Sequence, residues 1–157
     1  MTYGIDEGAA RKVIDLLQDR LHAANDLHLT LKHVHWNVVG PNFIAVHEML
    51  DPHTDEVRAM ADELAERIAT LGGAPIGTPA ALVSARTWQD YDLGRADTQQ
   101  HLAALDEVYQ GVVKSFRETI DALGDLDPVS QDMVIGESAV LEKFHWFVRA
   151  HLGTATS

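Results

Sequence analysis

Apolar residues return every third or fourth position through four long stretches of this chain, a period that fits one face of an α-helix and no face of a β-strand. In the first stretch, from about Asp6 to Val38, the repeating positions are Val13, Leu17, Leu21, Ala24, Leu27, Leu31 and Val34. Gly40 and Pro41 close it and open the next, because proline is harmless in a first helical turn, where its missing N–H would have no intrahelical partner. The second stretch, 41–71, carries Phe43, Val46, Leu50, Val57, Ala61, Leu64, Ile68 and Leu71 before Gly72-Gly73 ends it. Between Gly72 and Arg95 the period is lost among prolines and glycines, with room for one short helix at Ala80 to Ser84. The third stretch, 95–123, repeats at Leu102, Leu105, Tyr109, Val112, Phe116, Ile120 and Leu123. The fourth, 128–152, starts after Asp127-Pro128, a cap residue followed by proline at the first helical position, and carries Val134, Leu141, Phe144 and Val148.

Four long helices with a single long link in the middle predict an all-α, ferritin-like four-helix bundle with a short helix on the crossover. Such a link carries the chain the length of the bundle, so that the third helix runs parallel to the second. With 157 residues, 46% of them apolar, residues 1–157 are expected to form a single domain around one core. The absence of cysteine removes disulfides, thiolate zinc sites and thiol nucleophiles together. A formal charge of -12 argues against a large basic surface and for attraction of cations. No apolar run is long enough to cross a bilayer and no signal segment is recognisable, so a soluble, cytoplasmic protein is expected, with no membrane partner.

Ferritin-like bundles commonly hold two metals in the core through a Glu on each of two helices and a Glu-x-x-His on each of the others. This chain lacks that set. Its first helix has Asp15, Asp19 and Asp26 but no Glu after Glu7, and its second has no Glu-x-x-His. Glu142-x-x-His145 on the fourth stands alone and reads as bundle surface. The second helix offers something different, because His47, Asp51, Asp62 and Glu66 line up on the flank of its buried stripe as two pairs at i,i+4. Each pair can hold one side of a cation, but the pairs are centred roughly 22 Å apart along the axis, too far for one ion. An antiparallel contact of this helix with its own copy, with the axis near Glu56 and Val57, would bring His47 and Asp51 of one subunit to Asp62 and Glu66 of the other, twice per dimer. His35, one turn from the end of the first helix, can fold back toward His47, and Trp36 beside it can cover the site. Two imidazoles and three carboxylates suit Fe²⁺, Mn²⁺ or Zn²⁺. Each position also has a plainer reading: an acidic i,i+4 pair is commonly a solvated face, His47 an interface histidine, Trp36 a packing residue. Spacing alone leaves both readings open. His33 reads as exposed, and His22, His28, His53, His101 and His151 form no second cluster.

The run HVHWNVVGPNFIAVHEMLD at 33–51, followed by DELAERIATLG at 62–72, closely resembles the Dps family, the mini-ferritins named as DNA-binding proteins from starved cells. The likeness extends over nearly the whole chain, including the short middle helix and LEKFHWFVRAHL near the end. By that resemblance His35, His47 and Asp51 match the ligands of one subunit, and Asp62 and Glu66 those of its two-fold mate. The resemblance also implies a homo-dodecamer built from two-fold dimers, a hollow shell that binds non-haem iron at its dimer interfaces. There Fe²⁺ is oxidised to Fe³⁺, preferentially with hydrogen peroxide, and the ferric mineral is stored inside. Asp125, Asp127 and Asp132, around the start of the fourth helix, match the region of the family's three-fold pore, where rings of carboxylates would concentrate cations. Asp127 also reads as a simple helix cap. In one respect the chain departs from the family. Members that bind DNA usually use lysine- or arginine-rich tails, whereas MTYGIDEG and GTATS contain neither residue. Phosphate binding needs several basic contacts at once, so DNA is not an expected strong partner and nucleoid association is only the family's default.

Overall fold

The computed structural model describes residues 4–153. Residues 1–3 and 154–157, parts of the two end segments without lysine or arginine, lie outside the described residues. The elements run α1 (Glu7–Asn37), β1 (Val38–Val39), α2 (Phe43–Thr70), α3 (Pro79–Ala85), β2 (Ala96–Asp97), α4 (Thr98–Leu123) and α5 (Pro128–His151). The four long helices form the ferritin-like bundle, with α3 riding on the crossover.

α1 starts at the Asp6 cap, whose carboxylate accepts the Gly8 and Ala9 N–H groups at 2.9 and 3.0 Å. Every expected apolar position of this helix, Val13 through Val34, is buried. The chain reverses between α1 and α2 through two left-handed residues, Gly40 at φ +92° and Asn42 at φ +61°. Pro41 therefore sits inside the turn, and α2 begins two residues later than its proline suggests. α2 then runs through Pro52, which has no N–H to give the preceding turn, and holds together by packing Val46, Leu50, Val57, Leu64 and Ile68 into the core. Its far end closes tightly on α1: a Cβ at Gly73 would lie 2.9 Å from an Ile68 methyl and 3.1 Å from Ile14.

The crossover is tied down at several points. β1 and β2 pair in parallel, Val38 with Ala96 and Val39 with Asp97, a two-residue ladder too short to have any periodicity in sequence. Asp97 and Gln100 form a capping box that starts α4 at Thr98, later than the apolar pattern alone indicates. The Thr98 hydroxyl donates to the Pro41 carbonyl at 2.9 Å, so the starts of α2 and α4 lie side by side. Arg86 pairs with Asp26 and Asp90, and the Trp88 indole N–H donates to Asp26 at 2.7 Å, which fastens the link to α1.

Leu17, Leu31, Leu50, Leu64, Leu105, Tyr109, Phe116 and Leu141 are central in the core. Val112 and Ile120 are only partly buried, while Phe43 is 38% exposed. His53 is fully buried instead. It shares a 2.9 Å hydrogen bond with the Tyr109 hydroxyl and stacks on Phe144 at 3.8 Å, and burial lowers its pKa to about 4, so it is a neutral core histidine at physiological pH.

Candidate metal centre

Two helix ends meet at the turn between α1 and α2, and there the rings of His35 and His47 stack with centroids 3.7 Å apart and planes at 23°. Their hydrogen bonds are reciprocal: His35 Nδ1 donates to the His47 carbonyl at 3.0 Å, and His47 Nδ1 donates to the His35 carbonyl at 2.9 Å. A proton held on Nδ1 leaves the Nε2 lone pair free, the arrangement a metal-ligating imidazole needs. Phe43 packs behind His47 at 5.0 Å, giving the half-exposed Phe43 a role in holding that ring. His35 is buried and His47 half-buried.

Asp51, one turn beyond His47, presents Oδ1 at 3.4 Å from His35 Nδ1 and 3.0 Å from Lys32 Nζ. The hydrogen bond from Lys32 holds the Asp51 carboxyl below the usual aspartate range, against a smaller opposing effect of desolvation. In the sequence Lys32 is one more polar residue, and its place one turn before His35 is the sign of its position. Trp36, next to His35, is 72% exposed.

Asp62 and Glu66 stand exposed one turn apart farther along α2. Asp62 lines a shallow groove with Asn25, Arg58 and Ala65. The chain thus brings His35, His47 and Asp51 together and leaves Asp62 and Glu66 roughly 22 Å away along the helix. Among the described residues of one chain, no three His, Asp or Glu side chains are grouped so as to hold a metal ion by themselves.

The other acidic positions have different surroundings. Asp127 caps α5, accepting the Val129 and Ser130 N–H groups, and its carboxylate is bound by Arg67 at 2.6 Å. Burial would raise its pKa, but the hydrogen bonds from Ser130 and Arg67 prevail and lower it. The helix-cap reading of Asp127 is therefore the one its contacts express, while Asp125 and Asp132 on either side are exposed. Glu142 accepts from Arg117 Nε at 2.6 Å, and His145 Nε2 lies 2.6 Å from an Asp106 oxygen. His145 is not a surface residue, since only 13% of its side chain is exposed. This Glu-x-x-His is closed by its own partners.

Glu137 is a residue that spacing in the sequence does not mark as functional. It is 4% exposed, neither carboxylate oxygen has a hydrogen-bond partner, and burial, reinforced by the nearby charge of Glu63, pushes its pKa up to about 8. Its place three residues after Val134 and four before Leu141, on the apolar stripe of α5, was the available sign.

The fold is that of a ferritin-like protein, and the ferritin-like domain family matches residues 14–157. The DNA protection during starvation protein of Mycolicibacterium smegmatis is 60% identical over 152 residues, covering 97% of this chain and 83% of that one. The structure of Mycobacterium smegmatis Dps superposes with a TM-score of 0.96 at 60% identity, covering 98% of this chain and 88% of that one. Dps from Microbacterium arborescens in the high iron form superposes with a TM-score of 0.90 at 31% identity, covering 98% and 99%. The chain belongs to the Dps family of ferritin-like proteins. No described helix is long and apolar enough to cross a membrane.

Proposed function

We propose that this protein is a ferroxidase and iron-storage mini-ferritin, which oxidises Fe²⁺ preferentially with hydrogen peroxide and stores the ferric product, protecting the cytoplasm from oxidative damage. The observation that carries this reading is the stacked His35–His47 pair, both Nδ1 protons fixed by backbone carbonyls, at one end of a helix flank whose other end is a free acidic pair. An antiparallel two-fold contact of α2 completes the site: His35, His47 and Asp51 from one subunit, Asp62 and Glu66 from the other. Iron is the substrate. The imidazoles supply neutral nitrogen, the carboxylates balance its charge, and Trp36 closes the site from solvent when the subunits dock. Two Fe²⁺ each give one electron; peroxide accepts both with two protons and leaves as two waters, so no hydroxyl radical is released. A relative crystallised in a high iron form is in keeping with this use of iron.

The shell is a dodecamer of two-fold dimers, and the exposed Asp125 and Asp132 at the α4–α5 corner are its pore carboxylates, with Asp127 holding that corner rigid. The 24 acidic residues of each chain provide surface for mineral nucleation. The names of the relatives favour a second reading, protection of DNA. The net charge of -12 weighs against strong electrostatic binding. The test is light scattering followed by stopped-flow oxidation of Fe²⁺ under peroxide and under oxygen. A mass near twelve times 17.3 kDa, faster oxidation by peroxide and two irons consumed per peroxide are expected. A stable monomer, or oxygen as the faster oxidant, would overturn the assembly or the oxidant part of the proposal.

A further inference from the structure

Between α1 and α4, beside crossover residues 87–93, lies a cleft of about 780 Å³, a volume in the range of small-molecule sites. Small residues keep it open: Ala23 on α1 and Ala104 and Gly111 on α4 line it, and a Cβ added at Gly111 would meet no atom within 4 Å. Leu27, Val108 and Val112 supply apolar wall. Arg20 also lines the cleft. Its Nε and Nη1 are buried without a hydrogen-bond partner, and its guanidinium carbon lies 5.5 Å from the centroid of the Phe116 ring. Burial lowers the pKa of Arg20, while the charges of Asp19 and Glu118 act the other way without accepting from either buried nitrogen. Buried donors without acceptors are costly, so this guanidinium is ready for an anion. The acids around it are engaged or outlying: Arg86 binds Asp26 and Asp90, and Asp92, Glu107 and Glu118 are exposed. A dianion or polyanion would be repelled by those exposed carboxylates, whereas a single carboxylate can pair with Arg20 and lay an apolar body on the walls. The Trp88 indole N–H donates to Asp26 at 2.7 Å, six residues after Arg20, which sets the indole roughly 9 Å along α1 from the guanidinium.

We infer that this cleft is a binding site for a small aromatic monocarboxylate, with the carboxylate on Arg20 and the ring system against Leu27, Val108 and Trp88. The span from Arg20 to Trp88 suits a molecule of two fused rings, and the aromatic side chains of Trp88 and Tyr91 at the crossover end favour a flat apolar body over a branched one. The walls come from α1, the crossover and α4, so the site is separate from the half-site at the α1–α2 turn. The inference therefore stands without the iron reading.

The test is equilibrium dialysis of the assembled protein against 2-naphthoate, its uncharged amide 2-naphthamide, and 2-naphthyl phosphate, which carries a second charge. The wild type is expected to take up one naphthoate per subunit with a dissociation constant of about 1 mM or below, and to bind the amide and the phosphate about tenfold more weakly or worse. Arg20→Met should bring naphthoate down to the level of the amide and leave the amide unchanged. Gly111→Leu, which puts a side chain into the open space before α4, should remove naphthoate binding while leaving the assembly intact. Naphthoate uptake unaltered by Gly111→Leu would place the ligand elsewhere and overturn the site. Equal uptake of naphthoate and naphthamide, or stronger uptake of the phosphate, would overturn the ligand assigned to it, and no uptake by the wild type at about 1 mM would overturn the inference as a whole. Should Arg20→Met not assemble, the comparison of naphthoate with naphthamide on the wild type decides, because it removes the charge from the ligand and leaves the protein unchanged.

Discussion

The two ends of the α2 flank are built in opposite ways. At the His47–Asp51 end both imidazoles are held by backbone carbonyls, Phe43 backs one ring, and Lys32 holds the carboxylate. At the Asp62–Glu66 end two carboxylates stand exposed in solvent. The difference follows from ligand chemistry. An imidazole has two distinct nitrogens and must have its proton placed before it can bind metal, whereas a carboxylate has two equivalent oxygens and needs only to be brought close. On the proposed shared site, the chain fixes the ligands that need fixing and leaves the others to be placed by docking.

The contrast is most sharply broken or sustained by removing the unfixed end. Asp62→Ala/Glu66→Ala should lower the initial rate of peroxide-driven Fe²⁺ oxidation by about a hundredfold or more, because direct ligands matter at least as much as the outer partners whose loss costs about 10–100-fold. Glu142→Ala/His145→Ala, removing the motif that looks most like a ligand pair in sequence, should leave that rate within about twofold in assembled protein. Equal losses in the two variants would mean that the site lies inside the bundle.

Glu137 is the next largest effect, and it concerns stability. A carboxyl whose pKa is raised from 4.5 to about 8 on folding is protonated in both states at low pH. From about pH 4.5 to 8 the unfolded state loses its proton first, so stability falls across that window and then levels. Glu137→Gln should abolish the fall, leaving the variant on the order of 2–4 kcal/mol more stable than wild type at pH 8 and equal to it near pH 4. Denaturant titration at several pH values measures this; parallel pH curves for the two proteins would show that Glu137 is solvated or paired in the assembly.

Asp127 should behave in the opposite sense. Its lowered pKa contributes stability that is present above about 3.8 and lost as pH falls through its folded value. Asp127→Ala should cost roughly 2 kcal/mol at neutral pH through loss of the cap and the Arg67 bond, with the cost shrinking below pH 3.8. A neutral substitution would show that the α4–α5 corner is held by other contacts.

These residues also mark how far the sequence could be read. The bundle was legible because burial on a helix leaves a period, and Val13 to Val34 and Val46 to Ile68 follow it. The parallel β1–β2 bridge was not, because two residues carry no period, and the Pro41 start was displaced because Gly40 and Asn42 spend two left-handed residues on the turn. Of the site, i,i+4 spacing brought out His47 with Asp51 and Asp62 with Glu66. The stacking of His35 on His47 depends on how the turn folds one helix back on another, and the Lys32–Asp51 pair on a contact between two residues 19 apart on different helices. Glu137 was hidden by its type, since a carboxylate on an apolar stripe is ordinarily discounted.

The smallest expected effect is on DNA. At about 0.15 M salt the assembled, metal-free chain should not retard linear DNA, given its charge of -12. Retardation that persists as salt is raised would make DNA binding a property of the shell surface itself.

The central claim, that each site is shared between two chains whose halves are built differently, is tested most directly by mixing. His47→Ala/Asp51→Ala removes the fixed half, Asp62→Ala/Glu66→Ala the unfixed half, and each protein alone should lack rapid peroxide-dependent oxidation. In a dimer of one chain of each kind, one interface site carries both defects and the other carries neither. Unfolding and reassembling the two inactive proteins together at equal amounts should therefore restore about a quarter of the wild-type initial rate, since about half the dimers are mixed and each regains one of two sites. Fully assembled mixed shells that remain as inactive as their parents would contradict the account, because a site contained in single chains is defective in every chain present.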